Sequence, residues 1–267
     1  MFERYRNKVE CSLTRFLKEK DLSPILCESM EYGLLGGGKR IRPCILLCVT
    51  EMLGGDIDKA LPFACALEMI HSYSLIHDDL PAMDNDDFRR GKLSCHKKYG
   101  EANGILAGDA LLTQAALLLA EQQGYDSAKE VILESALVMV SGQSYDLNDE
   151  AWSEEMLHLL HIQKTGALFR ASAAAGAYLA GRPELAPSFS KLGDAIGLIF
   201  QITDDFLDAD KDTASNKLSF YTYYGKEKSL ACLKEQETFA LGILDPYENS
   251  AADELKQMIR GLSNRKE

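Results

Sequence analysis

Hydrophobic positions along this chain recur mostly at intervals of three and four, and the alternating pattern of a half-buried strand is absent. That spacing predicts helices over Phe2 to Lys20, Pro24 to Leu34, Ile41 to Leu53, Ile57 to Asp79, Gly108 to Gln122, Ala128 to Tyr145, Ser153 to Ala180, Pro183 to Asp208 and Lys226 to Ile243. A last helix ends near Leu262. The breaks fall on Gly36-Gly37-Gly38, Gly54-Gly55, Gly124 and Arg182-Pro183, where glycine and proline interrupt a helix. The expected fold class is therefore all-α: a single-domain bundle of long, mostly antiparallel helices around a central cavity, spanning residues 1–267. No linker composition or internal repeat divides the chain.

Composition narrows the function classes. Hydrophobic residues make up 46% of the chain, enough for a sizeable core with room for a cavity. The formal net charge of −12 argues against an extended nucleic-acid surface, which needs clustered Lys and Arg. Seven cysteines, without CxxC pairs and mostly among apolar neighbours, read as reduced core thiols. The apolar runs Ile105 to Ala120 and Gly166 to Ala180 contain Asp109 and Arg170 and are too short to span a bilayer, so no transmembrane segment is expected. The opening MFERYRNKVECSLTRFLKEK lacks the apolar core of a secretory signal, and a cytoplasmic location is expected.

The candidate chemistry lies in two acidic segments. HSYSLIHDDLPAMDNDDFRRGKLSCH crowds Asp78, Asp79, Asp84, Asp86 and Asp87 between an apolar helix and Arg89-Arg90. Like charges this close raise one another's pKa unless cations neutralise them, and oxygen-only ligands suit magnesium. Pro81 cannot donate to the carbonyl of His77, so the chain should turn there and bring Asp84 back towards Asp78. A solvated acidic loop is the plainer reading of this segment alone. In GLIFQITDDFLDADKD, Asp204 and Asp208 stack on one helical face, with Gln201 one turn earlier. Two such acidic helix ends suggest opposing walls around a metal-diphosphate cluster.

Basic residues supply the complement. Lys39, Arg40 and Arg42 follow three glycines in LLGGGKRIRP, where backbone can approach an anion closely. The spacing is not that of a Walker loop, and a helix cap would look similar. Arg89 and Arg90 either meet phosphate or balance the neighbouring aspartates. Lys164-Thr165 sits in an apolar helical stretch, either snorkelling from the core or facing a cavity. His158 and His161 read as surface or packing residues, since no third ligand accompanies them.

The segments GGGKRIRP, HSYSLIHDDLPAMDNDDFRRGK, YGEANGILAGDALL, QKTGALFRASAAAGA and QITDDFLD together resemble the trans-prenyl diphosphate synthase family, of the bacterial farnesyl diphosphate synthase type within the isoprenoid synthase superfamily. The match runs from Gly36 to Asp208 in the family's order. The resemblance implies the isoprenoid synthase fold, a homodimer and Mg2+ as cofactor. It makes Asp78, Asp79, Asp84, Asp204 and Asp208 metal ligands. Arg89 would bind the allylic diphosphate, and Lys39, Arg42, His71 and Arg90 the isopentenyl diphosphate. Lys164, Thr165 and Gln201 would line the region where positive charge develops. Tyr73, with Ser74 beside it, would limit product length, which favours farnesyl diphosphate over geranylgeranyl diphosphate. The implied reaction condenses isopentenyl diphosphate with dimethylallyl or geranyl diphosphate by metal-assisted ionisation and head-to-tail addition.

One departure from the family pattern is the short ADKDTASNKLSFYTYYG after Asp208, where a phosphate-binding lysine of the usual longer loop has only Lys211 or Lys217 as substitutes. The rival readings are a longer-chain synthase or terpene cyclase, a non-catalytic subunit of a heteromeric synthase, and an HD-type phosphohydrolase built on His77-Asp78 with His71 upstream.

Overall fold

A computed structural model describes residues 2–18, 21–148, 153–209 and 218–265. The elements in order are α1 (Glu3–Lys18), α2 (Pro24–Leu35), α3 (Ile41–Met52), α4 (Ile57–Asp78), β1 (Phe88–Arg89), β2 (Lys92–Leu93), α5 (Cys95–Tyr99), α6 (Glu101–Ala120), α7 (Asp126–Asn148), α8 (Glu154–Leu160), a π-helical turn (His161–Gly166), α9 (Ala167–Leu179), a 3-10 turn (Pro183–Leu185), α10 (Ala186–Leu207), α11 (Phe220–Leu244) and α12 (Ser250–Ser263). The all-helical expectation holds.

Two helices organise the packing. α4 touches α1, α2, α3, α6, α7 and α9, and so is apolar on nearly every side rather than along one stripe. In α9 only Arg170 and Tyr178 escape burial, and its alanines let α3, α7 and α10 approach closely. The charge in this second apolar run is matched: Arg170 Nε lies 2.7 Å from Asp194 Oδ1 on α10. Since α3 packs on both α4 and α9, the two central helices share one continuous core.

Several expected boundaries move. α6 begins at Glu101, seven residues before the anticipated Gly108, and Gly104 within it packs where a Cβ would lie 3.2 Å from His96 Cβ. At 20 residues, α6 is long and apolar enough to cross a membrane by length and composition, which corrects the length argument made from the shorter run. One face packs on α4 and the other carries exposed Ile105, Leu106 and Leu117. The stretch expected as one helix from Ser153 to Ala180 is interrupted by the π turn. α11 starts at Phe220 rather than Lys226, and Gly225 (φ 74°) kinks it near the expected start.

A minimal antiparallel ribbon also appears, with Phe88 opposite Leu93 and Arg89 opposite Lys92. Its two-residue loop, Arg90-Gly91, has φ of 53° and 74°, the left-handed pair that closes a tight hairpin. Of the cysteines, Cys44, Cys48, Cys65 and Cys95 are buried, Cys27 and Cys232 half-buried and Cys11 exposed; all are free thiols.

Candidate active site

The first acidic segment begins where α4 stops. Leu80 N–H still donates to the His77 carbonyl (3.1 Å), and Asp84 N–H then returns to the Asp78 carbonyl (2.8 Å). The turn expected around Pro81 thus brings Asp84 back beside Asp78. Arg89, presented by the ribbon, donates from Nε to Asp79 Oδ1 (2.9 Å) and lies 3.5 Å from Asp86 Oδ2, while Lys97 pairs with Asp87 (2.8 Å). Asp79 is 3% exposed, and one of its oxygens, Oδ1, is held by Arg89. Asp78 carries no ion pair among the described residues. Burial pushes its pKa up to about 6; Lys164 opposes that rise and Asp84 adds to it.

The second segment ends α10. Asp204 Oδ1 accepts from Arg265 Nη1 at 2.7 Å, and Lys39 adds a further positive charge nearby. Burial nevertheless raises the Asp204 pKa, and Asp208, itself exposed, raises it further. Between them Asp205 turns the opposite way. Its carboxylate accepts from Gln201 Nε2 and from the Phe220 N–H, both at 2.7 Å, and so ties α10 to the start of α11. Gln201 in turn accepts the Thr165 hydroxyl at 2.7 Å, which orients its amide from both ends.

The π turn connects the two acidic ends. A π turn shifts residues out of α-helical register, a distortion often found at functional sites. Lys164 on this turn ion-pairs with Asp146 of α7 and exerts its field on Asp78. Thr165, the next residue, reaches Gln201 one turn before Asp204. The two carboxylate ends therefore flank one short stretch of backbone.

The basic residues divide by role. Gly37 (φ 103°) and Gly38 (φ 128°) make the turn that precedes α3. Arg40, grouped with its neighbours as a candidate anion ligand, is instead buried: it donates to Glu68 Oε1 and to the Leu34 carbonyl, each at 2.7 Å. Its charge is neutralised by Glu68 at the edge of the cavity that Lys39 and Arg42 also line. Arg42 lies over the Phe169 ring (4.3 Å) with Nη1 3.4 Å from His71 Nε2. Burial lowers the Arg42 pKa to about 10 and, with the surrounding arginines, keeps His71 well below its ordinary value, as a neutral imidazole. Arg42 Nε is buried without a hydrogen-bond partner, an open donor beside the cavity. That cavity, of about 540 Å³, is lined by Lys39, Arg42, His71, Arg90, Asp204 and Arg265 among others.

Tyr73 is buried about one turn before Asp78, its ring edge-on to His77 at 5.8 Å. Ser74 donates its hydroxyl to the His71 carbonyl at 2.9 Å, within α4 itself. His161 is buried and stacked on Phe220 (5.0 Å), and His158 lies 3.3 Å from the Tyr224 hydroxyl, so both are packing residues as expected. Lys211 and Lys217 lie outside the described residues.

Three participants escaped the sequence reading. Asp146 had a readable clue only in its helical position, Asp205 in its spacing of four from Gln201, and Arg265 in nothing local at all. Among the described residues no three carboxylate, imidazole or thiol groups converge to hold a metal unaided. The available ligands are carboxylates in small numbers from two helix ends. That set fits magnesium, which keeps several waters and takes substrate phosphates as further ligands.

Comparison with known proteins agrees with this geometry. The polyprenyl synthetase family model matches residues 23–222, from just before α2 into α11. A farnesyl diphosphate synthase of Micrococcus luteus is 39% identical over 263 residues, covering 90% of this chain and 89% of that one. A geranylgeranyl diphosphate synthase of Cyanophora paradoxa is 44% identical over 226 residues, covering 76% and 75% respectively. The crystal structure of a geranyltransferase from Legionella pneumophila superposes with a TM-score of 0.89 at 33% identity, over 99% of this chain and 96% of that one. With two acidic helix ends, a cationic cavity beside them and this match over most of its length, the chain belongs to the polyprenyl synthetase family.

Proposed function

We propose that this chain is a magnesium-dependent prenyl transferase that adds isopentenyl diphosphate to an allylic diphosphate, with farnesyl diphosphate as its principal product. The observation that carries this reading is the cationic cavity beside Asp204, joined through the π turn to Asp78. Lys39, Arg42 and Arg90 form an anion site suited to a diphosphate, and neutral His71 accepts a hydrogen bond from Arg42, holding that guanidinium in place. Asp78 and Asp84 from one wall, and Asp204 and Asp208 from the other, would hold Mg2+; bound there, the ion neutralises the charge that develops on a departing pyrophosphate. Asp79 orients Arg89 towards the same side. Thr165 and Gln201, hydrogen-bonded to each other, join the π turn to α10 between the walls, and Lys164, anchored by Asp146, adds a nearby charge. The surrounding apolar helices exclude water, which would otherwise capture an allylic cation. Carbon–carbon bond formation then consumes the isopentenyl double bond, and the released proton is taken by the departed pyrophosphate; no protein nucleophile is required.

Product length follows from where Tyr73 closes the hydrocarbon space below Asp78. The named relatives include both a farnesyl and a geranylgeranyl diphosphate synthase, and the bulk of the Tyr73 ring favours the shorter product. The exposed apolar residues Ile105, Leu106 and Leu117 on α6, and Leu133, Leu137 and Val140 on α7, support a homodimer through this face.

The test is to incubate the purified protein with magnesium, isopentenyl diphosphate and, separately, dimethylallyl, geranyl and farnesyl diphosphates, and to identify products by mass. Farnesyl diphosphate from the first two starters is expected. Failure of every allylic starter to elongate, or pyrophosphate release independent of isopentenyl diphosphate, refutes the reading. Tyr73→Ala is expected to lengthen the products, and light scattering to give twice the chain mass.

A further inference from the structure

Resting on the reading of Tyr73 as the floor of the hydrocarbon space, we infer that His77 is the positioning residue that sets that floor, held in a seat formed by the absent side chain of Gly108. Tyr73 and His77 stand four residues apart on α4 and therefore stack along one face. Their rings meet edge-on, with centroids 5.8 Å apart and planes at 82°, the geometry in which the edge of one ring meets the face of the other. The His77 ring is fixed from its far side: Nε2 lies 3.0 Å from the Ile105 carbonyl of α6. Asp109 Oδ1 lies 3.9 Å from the same nitrogen. A Cβ on Gly108 would fall 2.1 Å from Nε2, 2.4 Å from Cδ2 and 2.8 Å from Cε1, so α6 can present its backbone to the ring only because residue 108 has no side chain.

The order of contacts is therefore α6 backbone, His77 ring, Tyr73 ring. Tyr73 is 6% exposed, and the edge contact restrains its ring from the α6 side. A side chain at 108 pushes His77 off its seat. Loss of the His77 ring removes the support and lets Tyr73 rotate away from the hydrocarbon path. Both routes move the Tyr73 ring and so alter the floor, although residue 73 is itself unchanged.

The experiment measures the product spectrum of His77→Ala, Gly108→Ala, the double variant and His77→Phe, alongside Tyr73→Ala. His77→Ala is expected to raise the ratio of longer to shorter product by at least about tenfold, the scale on which one packed group discriminates in an apolar site. His77→Phe, which keeps a ring against Tyr73, returns the spectrum towards that of the parent. Gly108→Ala lowers the melting temperature and changes the product spectrum in the parent background. In the His77→Ala background the same substitution costs no further stability, because the atoms it strikes are gone. If Tyr73→Ala lengthens the products while His77→Ala and Gly108→Ala leave them unchanged, the positioning role is refuted and the floor reading stands. If Tyr73→Ala also changes nothing, the floor reading fails and this inference falls with it. Should Gly108→Ala not fold, His77→Ala and His77→Phe still decide between these outcomes.

Discussion

At the end of α4, Arg89 balances Asp79 and leaves Asp78 to face Lys164 without an ion pair among the described residues, whereas at the end of α10 Asp205 serves the fold and Asp204 is paired to Arg265. Each acidic helix end thus ties one of two adjacent carboxylates into the fold. The difference lies in the charge left over. Asp78 keeps a pKa raised to about 6 because burial outweighs the field of Lys164. Asp204 is neutralised by a residue sixty-one positions away, near the chain's last helix. Burial raises a carboxylate at both ends; at the first no ion-pair partner opposes it, and at the second Arg265 does.

The largest test of that contrast is removal of the Asp78 carboxylate. Asp78→Ala is expected to lower kcat/KM for prenyl transfer by on the order of 10³-fold or more, since it deletes a negative charge that organises cations around the leaving group. Asp79→Ala should combine a rate loss with a folding loss, because Arg89 would be left half-buried without its partner. Steady-state kinetics beside urea unfolding separates the two residues; equal stability losses would erase the distinction drawn between them.

Next comes Asp205→Ala, which strips acceptors from the buried Phe220 N–H and from Gln201. A loss of about 2–4 kcal/mol in urea unfolding is expected, the scale for orphaning buried hydrogen-bonding groups. Asp208→Ala, at an exposed position, should change stability by less than about 0.5 kcal/mol.

A smaller effect concerns pH. Because burial holds Asp78 above its ordinary value of 3.8, the native state favours its protonated form. Its contribution to stability is full below pH about 4 and is lost as pH rises through about 6. In metal-free protein, Asp78→Asn should therefore raise stability at pH 7 by about 1–2 kcal/mol, after allowance for partial exposure, and flatten the decline between pH 4 and 6. Thermal melts across that range provide the measurement, and unchanged curves would show that burial does not hold Asp78 above its ordinary value.

The smallest expected effect is at the balanced end. Arg265→Ala removes a cation lying 2.7 Å from Asp204 and should lower the half-saturating magnesium concentration by about two- to fivefold, as for loss of a partly exposed ion pair. A rise instead would mean that Arg265 assists cation binding rather than competing with it.

Much of this molecule was legible from its residues in order. Apolar spacing of three and four predicted nearly all the long helices, and proline after two aspartates predicted the turn that returns Asp84 to Asp78. Where reading failed, the cause was a contact between distant segments. The helix expected to start at Gly108 starts at Glu101, with Gly104 packed against α5. Arg40 looked like Arg42, yet its left-handed backbone (φ 51°) and Glu68 on α4 take its side chain into the core. The two-residue ribbon was too short to leave an alternating pattern, although Arg90-Gly91 is a hairpin signal in retrospect.

By itself the sequence determined the helical class, the two acidic helix ends and the cationic stretch between glycine and α3, because periodicity, proline and charge density act over a few neighbouring residues. Only the tertiary structure decided which of two adjacent aspartates is paired within the fold, that Glu68 neutralises Arg40, and that Lys164, held by Asp146, and Arg265 lie near the acidic ends. Those outcomes depend on burial and on partners far away in the chain, and the free energy of a charge is set by what surrounds it rather than by what precedes it.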